Sequence, residues 1–437
     1  MRQRRDKRYI RNYLLDDLKI ISKVLSVFIL ILLIVFIFSS IKMKNKSMYK
    51  ISNTTNNEHE INSNEKDANI PSNLDENLNS SEETVTPKKE EIKNTTINMA
   101  FTGDIMCHNT IYNDAYNKET ESYDFSYIFD NIKYYIQTAD IAIGNLETTF
   151  AGPEKGYSSY PTFNTPEILA YNLKKLGFDV VSTANNHCYD KGYDGIASTI
   201  KYLDEADLSH TGTYTSEENQ NKILIKNVKG IQIAFLSFTY GTNGITIPSD
   251  KAYSVNLIDK DLIKRQIDLA KEQNPDIICV SMHWGQEYQV SPNNYQNDLA
   301  DFLFQNGADI IIGNHPHVLQ PMEKREITLS DGTTKDGFIV YSLGNFLADQ
   351  SKTNTRNSAI LNLKITKDPE NKIHINTATY TPIYTYKDSS QSNKKFKIID
   401  LKNTIASYEA GYDTSLSATT YKTFKNELEN VNKIFGN

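Results

Sequence analysis

The chain of 437 residues is 39% apolar and 23% charged with a formal net charge of −7, enough apolar sequence beyond its N-terminal segment to bury a sizeable core. Residues 1–46 hold 11 of the 47 Lys/Arg and 3 of the 54 Asp/Glu, leaving 36 against 51, a net −15, on the rest. An exterior that acidic repels polyanions at long range, which argues against a nucleic-acid partner and confines any capture of an anionic polymer to a local cleft or to bound metal.

Val24 to Ile41 is an apolar run of 18 residues without a charge, long enough to cross a bilayer core. Residues 1–23 carry eight Lys/Arg against three Asp, so the positive-inside rule places that segment in the cytoplasm and the main domain outside the cell. Lys42, Lys44 and Lys46 follow directly without a small-residue cleavage site, which favours a retained single-pass signal anchor in the cell membrane over a cleaved signal peptide. Residues 42–96 are rich in Asn, Ser, Glu, Lys and Thr and lack apolar periodicity, the composition of a disordered extracellular linker.

From 97 onward strand and helix patterns alternate, as a parallel sheet with crossover helices requires. Residues 97–104 alternate and end on Asp104; 139–147 ends on Asn145 and Glu147; 178–187 ends on Asn185, Asn186 and His187. Helices are expected from Pro166 to Leu176, stopped by Gly177, and from Gly192 to Asp204. Lys222 to Tyr240 reads as a hairpin around Lys229-Gly230, and Leu262 to Ala270 as a helix. The strand at 276–283 ends on His283, a helix spans Leu299 and Leu303, and the run from Gly307 to Gly313 ends on His315 and His317. A strand pair, 359–367 with 372–386, completes a domain at 97–386, and 387–437 reads as an extension ending in the helix Ser417 to Phe435.

Carboxyl ends of parallel strands point the same way, so five polar strand ends converge on one edge, where open α/β sheets place their chemistry. Carboxylates, Asn amides and imidazoles together make an oxygen and nitrogen site for divalent Mn, Fe or Zn. A carboxylate able to bridge, Glu147, suits a pair of ions, with hydrolysis as the reaction class. Each residue has a plainer reading. Asp104 could be a turn residue or helix cap, Asn186 could cap the helix from Gly192, His187 could be a satisfied core histidine, and His283 could stack on Trp284. His59, His108, His210 and His374 follow no buried strand at the right point, and His108 is the one best placed to support the site. Three cysteines leave at least one unpaired; Cys279 lies mid-strand, whereas Cys107 and Cys188 flank the proposed site.

Six ordered blocks then carry a resemblance: Gly-Asp-Ile-Met (103–106), Gly-Asn-Leu-Glu (144–147), Ala-Asn-Asn-His (184–187) followed by Asp190, His-Trp-Gly-Gln-Glu-Tyr (283–288), Gly-Asn-His-Pro-His-Val-Leu-Gln-Pro (313–321) and Ser-Leu-Gly-Asn-Phe (342–346). The chain resembles the CapA/PgsA family of poly-γ-glutamate capsule synthesis proteins, a branch of the metallophosphoesterase (calcineurin-like) superfamily. The resemblance implies a four-layered α/β sandwich with two divalent ions. Asp104 would bind the first ion with His317, Glu147 would bridge, and Asn186, His283 and His315 would bind the second. His187 would orient or protonate the leaving group, and Asn145, Asn185, Asp190, Trp284, Glu287, Tyr288 and Asn345 would support the site or meet substrate. Implied partners are the membrane, polyglutamate synthase subunits and an anionic polymer. Two positions depart from the wider superfamily. Met106 stands where an Asp-x-His motif would supply a ligand, and Glu147 replaces a bridging Asp. Met106 motivates the alternative of a non-catalytic metal-binding scaffold for a synthase complex.

Overall fold

The computed structural model describes residues 94–436. The cytoplasmic segment, the signal anchor at 24–41 and the linker up to residue 93 lie outside the described residues. Among the described residues no helix is long and apolar enough to cross a membrane.

Two sheets of eight and six strands organise the chain. In the first, β1 (Thr95–Ile105), β4 (Ile141–Leu146), β5 (Val180–Ser182) and β6 (Ser209–Thr211) run parallel, and β13 (Asn345–Leu347) pairs in parallel with the end of β1. Antiparallel β14 (Asn357–Lys367), β15 (Ile373–Lys387) and β16 (Phe396–Asp400) extend it on the other side of β1. In the second, β8 (Ile231–Thr239), β9 (Ile277–His283), β10 (Ile310–Asn314) and β12 (Thr334–Leu343) are parallel, flanked by antiparallel β7 (Leu224–Val228) and β11 (Leu319–Thr328). The two-residue strands β2 (Tyr116–Asn117) and β3 (Ser122–Tyr123) form a separate ribbon.

Side-chain parity sorts each strand between two environments. Odd residues Ile97, Met99 and Phe101 of β1, Ile141 and Ile143 of β4, and Ile277 and Cys279 of β9 meet even residues Ile310 and Ile312 of β10 in one core between the sheets. The opposite faces pack under helices. Ala142, Leu146 and Val181 lie with the helix Ile168–Leu176, and Ile278, Val280 and Met282 with the helices Lys260–Glu272 and Asn294–Asn306. The layers are therefore helix, sheet, sheet, helix. Strands buried on both faces carry the continuous apolar runs read from the sequence.

The helices begin and end for local reasons. Gly177 closes the first at φ 119, Asp259 caps the second by accepting from Leu262 N, and Asn293 with Gln296 forms a capping box on the third. The hairpin at Lys229-Gly230 has φ 52 and 90, the positive pair that a two-residue turn needs. The boundary drawn at 387 cuts the last residue from β15, which pairs with β16 from Ile383–Asp400 to Lys387–Phe396. Beyond it, the helix Ala418–Phe435 inserts Phe424, Val431 and Phe435 into the core between the sheets. The tail is part of the domain because those apolar faces have their only burial there.

Candidate metal centre

The five polar strand ends do converge, but from two facing sheets and not from one. Asp104, Asn145, Glu147 and the Asn185–His187 turn come from the first sheet, and His283, His315 and His317 from the second. They meet at the rim of the core between the sheets.

Parity alone would point Asp104 into the helix layer with Ala100. A bulge prevents this: Phe101 pairs with Ile143 and Asp104 with Asn145, so β1 spends one residue more than β4 over the same span. The extra residue re-aims Asp104 into the space between the sheets, the same face as Asn145. Gly103 makes the bulge possible, since a Cβ there would lie 1.9 Å from the Gly344 carbonyl oxygen. Asp104 N donates to that oxygen at 2.9 Å.

Asp104 is fully buried. Asn145 Nδ2 donates to its Oδ1 at 2.8 Å, and His315 N donates to its Oδ2 at 3.2 Å. His317 Nδ1 lies 3.1 Å from Oδ2 and 3.0 Å from Asn345 Oδ1. His315 and His317 sit at φ 97 and 58, so the chain reverses after β10 and both rings turn inward. Such backbone conformations are costly for non-glycine residues and are concentrated at functional sites.

Glu147 is also fully buried, and neither carboxylate oxygen has a hydrogen-bond partner. His283 Nε2 and His317 Nε2 lie 3.6 and 3.8 Å from its Oε1. Burial, then the Asp104 charge, pushes the Glu147 pKa well above the carboxylate range. Burial and the neighbouring imidazoles push His283 well down and His315 to about 3, so both rings are neutral with lone pairs to offer. His315 Nδ1 is buried without a partner.

Donor atoms of Glu147, His315 and His317 lie within 4.8 Å of one another, as do those of Asp104, Glu147 and His283. Glu147 belongs to both triplets, as a bridging ligand would. The triplets group His283 with Asp104 and His315 with His317, crossing the partition implied by resemblance. The His283 and His315 rings are nonetheless 4.9 Å apart, within one continuous cluster. Two orphaned carboxylate oxygens among imidazole nitrogens fit a divalent cation, since an isolated buried carboxylate otherwise costs several kcal/mol.

Asn186 Oδ1 lies 2.6 Å from His283 Nε2. It does not cap the following helix, whose N-cap is Lys191. Asn185 builds the turn, donating to Leu146 O at 2.7 Å and accepting from His187 N at 3.1 Å. His187 Nδ1 lies 2.7 Å from Asp190 Oδ2, and its ring packs edge-on against Phe163 at 4.7 Å. Tyr288 N donates to Pro316 O at 2.8 Å, with its ring 6.3 Å from His317. Glu287 is exposed beside it.

Trp284 points away from the cluster. Its parity is that of Met282, so it packs in the helix-facing core and donates from Nε1 to Tyr341 O at 3.1 Å, away from the cluster. Its ring therefore does not stack on His283, and its support of the site is through the main chain, where Trp284 N donates to Asn314 O at 3.1 Å. Met106 packs with Phe163 and Ala348. His108 lies beside Phe163 at 5.5 Å and accepts from Asp349 N at 3.2 Å. Cys107, Cys188 and Cys279 are buried and free.

The loop after β8 brings in two residues that were not read as part of the site. The Tyr240 ring lies 4.6 Å from His315 and parallel to His283 at 6.3 Å, and burial followed by Glu147 lifts its pKa to about 12. Asn243 reaches Asn186 and His187. The Asn243-Gly244 pair was the available sequence signal, marking a tight turn directly after a buried strand.

Comparison with known proteins covers the segment of the chain that carries these residues. A family described as bacterial capsule synthesis protein PGA_cap matches residues 98–350. The capsule biosynthesis protein CapA of Bacillus anthracis is 33% identical over 286 residues, 64% of this chain and 66% of that protein. The PGA biosynthesis protein CapA of Bacillus subtilis (strain 168) is 32% identical over 306 residues, 68% of this chain and 77% of that protein. Among solved structures, the calcineurin-like phosphoesterase YfkN from Bacillus subtilis aligns over 78% of this chain and 98% of that chain at 16% identity and a TM-score of 0.40.

Proposed function

Because the chain belongs to the bacterial capsule synthesis protein PGA_cap family, we propose that it serves capsule polymer biosynthesis or export as a membrane-anchored, extracytoplasmic protein with a metal-dependent, hydrolase-like site. The polymer class that fits its similarity to CapA proteins is poly-γ-glutamate. The observation that carries the catalytic part is Glu147, a fully buried carboxylate with both oxygens unpartnered among Asp104, His283, His315 and His317.

Asp104, Glu147, Asn186, His283, His315 and His317 would hold two divalent ions of the Mn, Fe or Zn class. Bound ions supply Lewis-acid polarisation of a phosphoryl or carbonyl oxygen and of water. The protein supplies the rest. Asn145 and Asn345 hold Asp104 and His317 in place. Asp190 accepts the Nδ1 proton of His187, which fixes the ring and leaves Nε2 to carry a proton to a leaving group.

Elemental analysis of the purified full chain beside a His315→Ala/His317→Ala variant tests this reading. Near two ions per chain, lost in the variant, supports it; near zero in both, after incubation with Mn²⁺ or Zn²⁺, overturns it.

One observation favours a second reading, a metal-binding scaffold for a membrane synthase complex. Met106 occupies a ligand position of the wider superfamily and is spent on packing against Phe163 and Ala348. A scaffold would tolerate loss of His187, whereas a hydrolase would not.

A further inference from the structure

The loop Tyr240–Ile245 follows β8 and contributes none of the six motif blocks, yet it touches the cluster twice. Thr242-Asn243-Gly244-Ile245 closes with Ile245 N donating to Thr242 O at 2.9 Å. Asn243 and Gly244 have φ 52 and 78, the positive pair of a type I′ turn, for which Asn-Gly is the preferred sequence. Thr242 Oγ1 braces the turn by donating to Ile245 O at 2.7 Å. Upstream, Tyr240 N donates to His283 O at 3.1 Å, tying the loop to the strand that carries a candidate ligand.

The turn holds the Asn243 side chain against the first sheet's contribution to the site. Asn186 Nδ2 donates to Asn243 Oδ1 at 3.0 Å. An amide offers an oxygen or a nitrogen to its surroundings according to which end is engaged elsewhere. With its NH₂ committed to Asn243, Asn186 presents Oδ1 to the cluster, on the side where His283 Nε2 lies 2.6 Å away. Asn243 Nδ2 also rests 3.4 Å from His187 Nδ1, whose shorter partner is Asp190.

We propose that Asn243 is a positioning residue that fixes the amide of Asn186 with its oxygen toward the metal centre. This rests on the metal-binding reading above and adds to it a residue from a different loop. Groups that orient metal ligands typically alter metal affinity 10- to 100-fold when removed.

Two substitutions separate the side chain from the turn, since Gly and Asp both accept a positive φ. Asn243→Gly keeps the turn and removes the acceptor; Asn243→Asp keeps both. The full chain, stripped by chelator, is titrated with Mn²⁺ by calorimetry. The expected result is a loss of about tenfold or more in affinity for one ion in Asn243→Gly, with Asn243→Asp binding as tightly as the parent or tighter. An Asn243→Gly protein that titrates like the parent overturns the proposal, as does an Asn243→Asp protein that loses as much as Asn243→Gly. A parent chain that binds no Mn²⁺ sinks the metal reading itself and this proposal with it, an outcome distinct from the first two because it appears before any substitution.

Discussion

His283 Nε2 and Asn186 Oδ1 stand 2.6 Å apart although one ends a strand of the second sheet and the other sits in a turn of the first. The contact spans 97 residues of sequence and clamps the two sheets together at their rim. Candidate ligands drawn from two sheets mean that a cation bound there would also staple the sandwich, so that metal and stability would be coupled.

That coupling sets the behaviour of Glu147. Glu147→Gln replaces a buried, unpartnered carboxylate by a neutral amide, which relieves strain in the metal-free protein. The melting temperature without metal should be unchanged or higher, and the rise on adding Mn²⁺ should vanish. Thermal melts with and without Mn²⁺ decide it; a Gln variant still stabilised by Mn²⁺ as much as the parent would remove Glu147 from the ligand set.

Gly103→Ala should be among the most damaging single-methyl changes in the chain. Its Cβ would meet a backbone oxygen at 1.9 Å, which cannot rotate away, and the bulge that aims Asp104 would open. A destabilisation of about 1–3 kcal/mol or more is expected in urea unfolding, with weaker metal binding in whatever remains folded.

His187→Ala distinguishes enzyme from scaffold. Its Nδ1 is committed to Asp190 and it holds no assigned ion, so metal content should stay at the parent level. Turnover of a chromogenic phosphodiester or γ-glutamyl anilide should fall by roughly 10²–10⁴. Parent-level turnover in the variant would exclude a proton-transfer role.

Acid sensitivity has a source at His108, whose pKa burial lowers from 6.5 to about 4 against the opposing pull of Asp349. A histidine depressed in the folded state binds fewer protons than in the unfolded chain, so its stabilising contribution is full above 6.5 and is lost as pH falls toward 4. The loss is up to about 3 kcal/mol. His108→Gln, which keeps an acceptor for Asp349 N, should flatten the stability profile across that window in pH-dependent unfolding; an unchanged slope would refute the assignment.

The three thiols offer an inexpensive check of the core. Burial raises Cys107 and Cys279 far above the usual thiol range and Cys188 to about 12. A thiol-disulfide reagent at pH 8 should label none in the native protein and all three in denaturant. Rapid labelling of Cys188 in the native state would show the site loop opening.

What the sequence by itself determined was the set of buried strands and the polar residues at their ends. Asp104, Glu147, Asn186, His283, His315 and His317 were all legible because strand periodicity and strand termination are local properties, and because parallel strands end on one side. Only tertiary structure decided that these ends come from two facing sheets, since pairing partners far apart in sequence leave no local mark. It decided the side of Asp104, because the bulge that reverses its parity depends on Gly103 lying against Gly344, 241 positions further along the chain. It built the helix-facing core in which Trp284 packs, and it brought Tyr240 and Asn243 to the cluster through contacts that are non-local. Local sequence sets where a chain extends, turns and stops; which distant surface each side chain then meets is set by sheet packing, which only the folded chain contains.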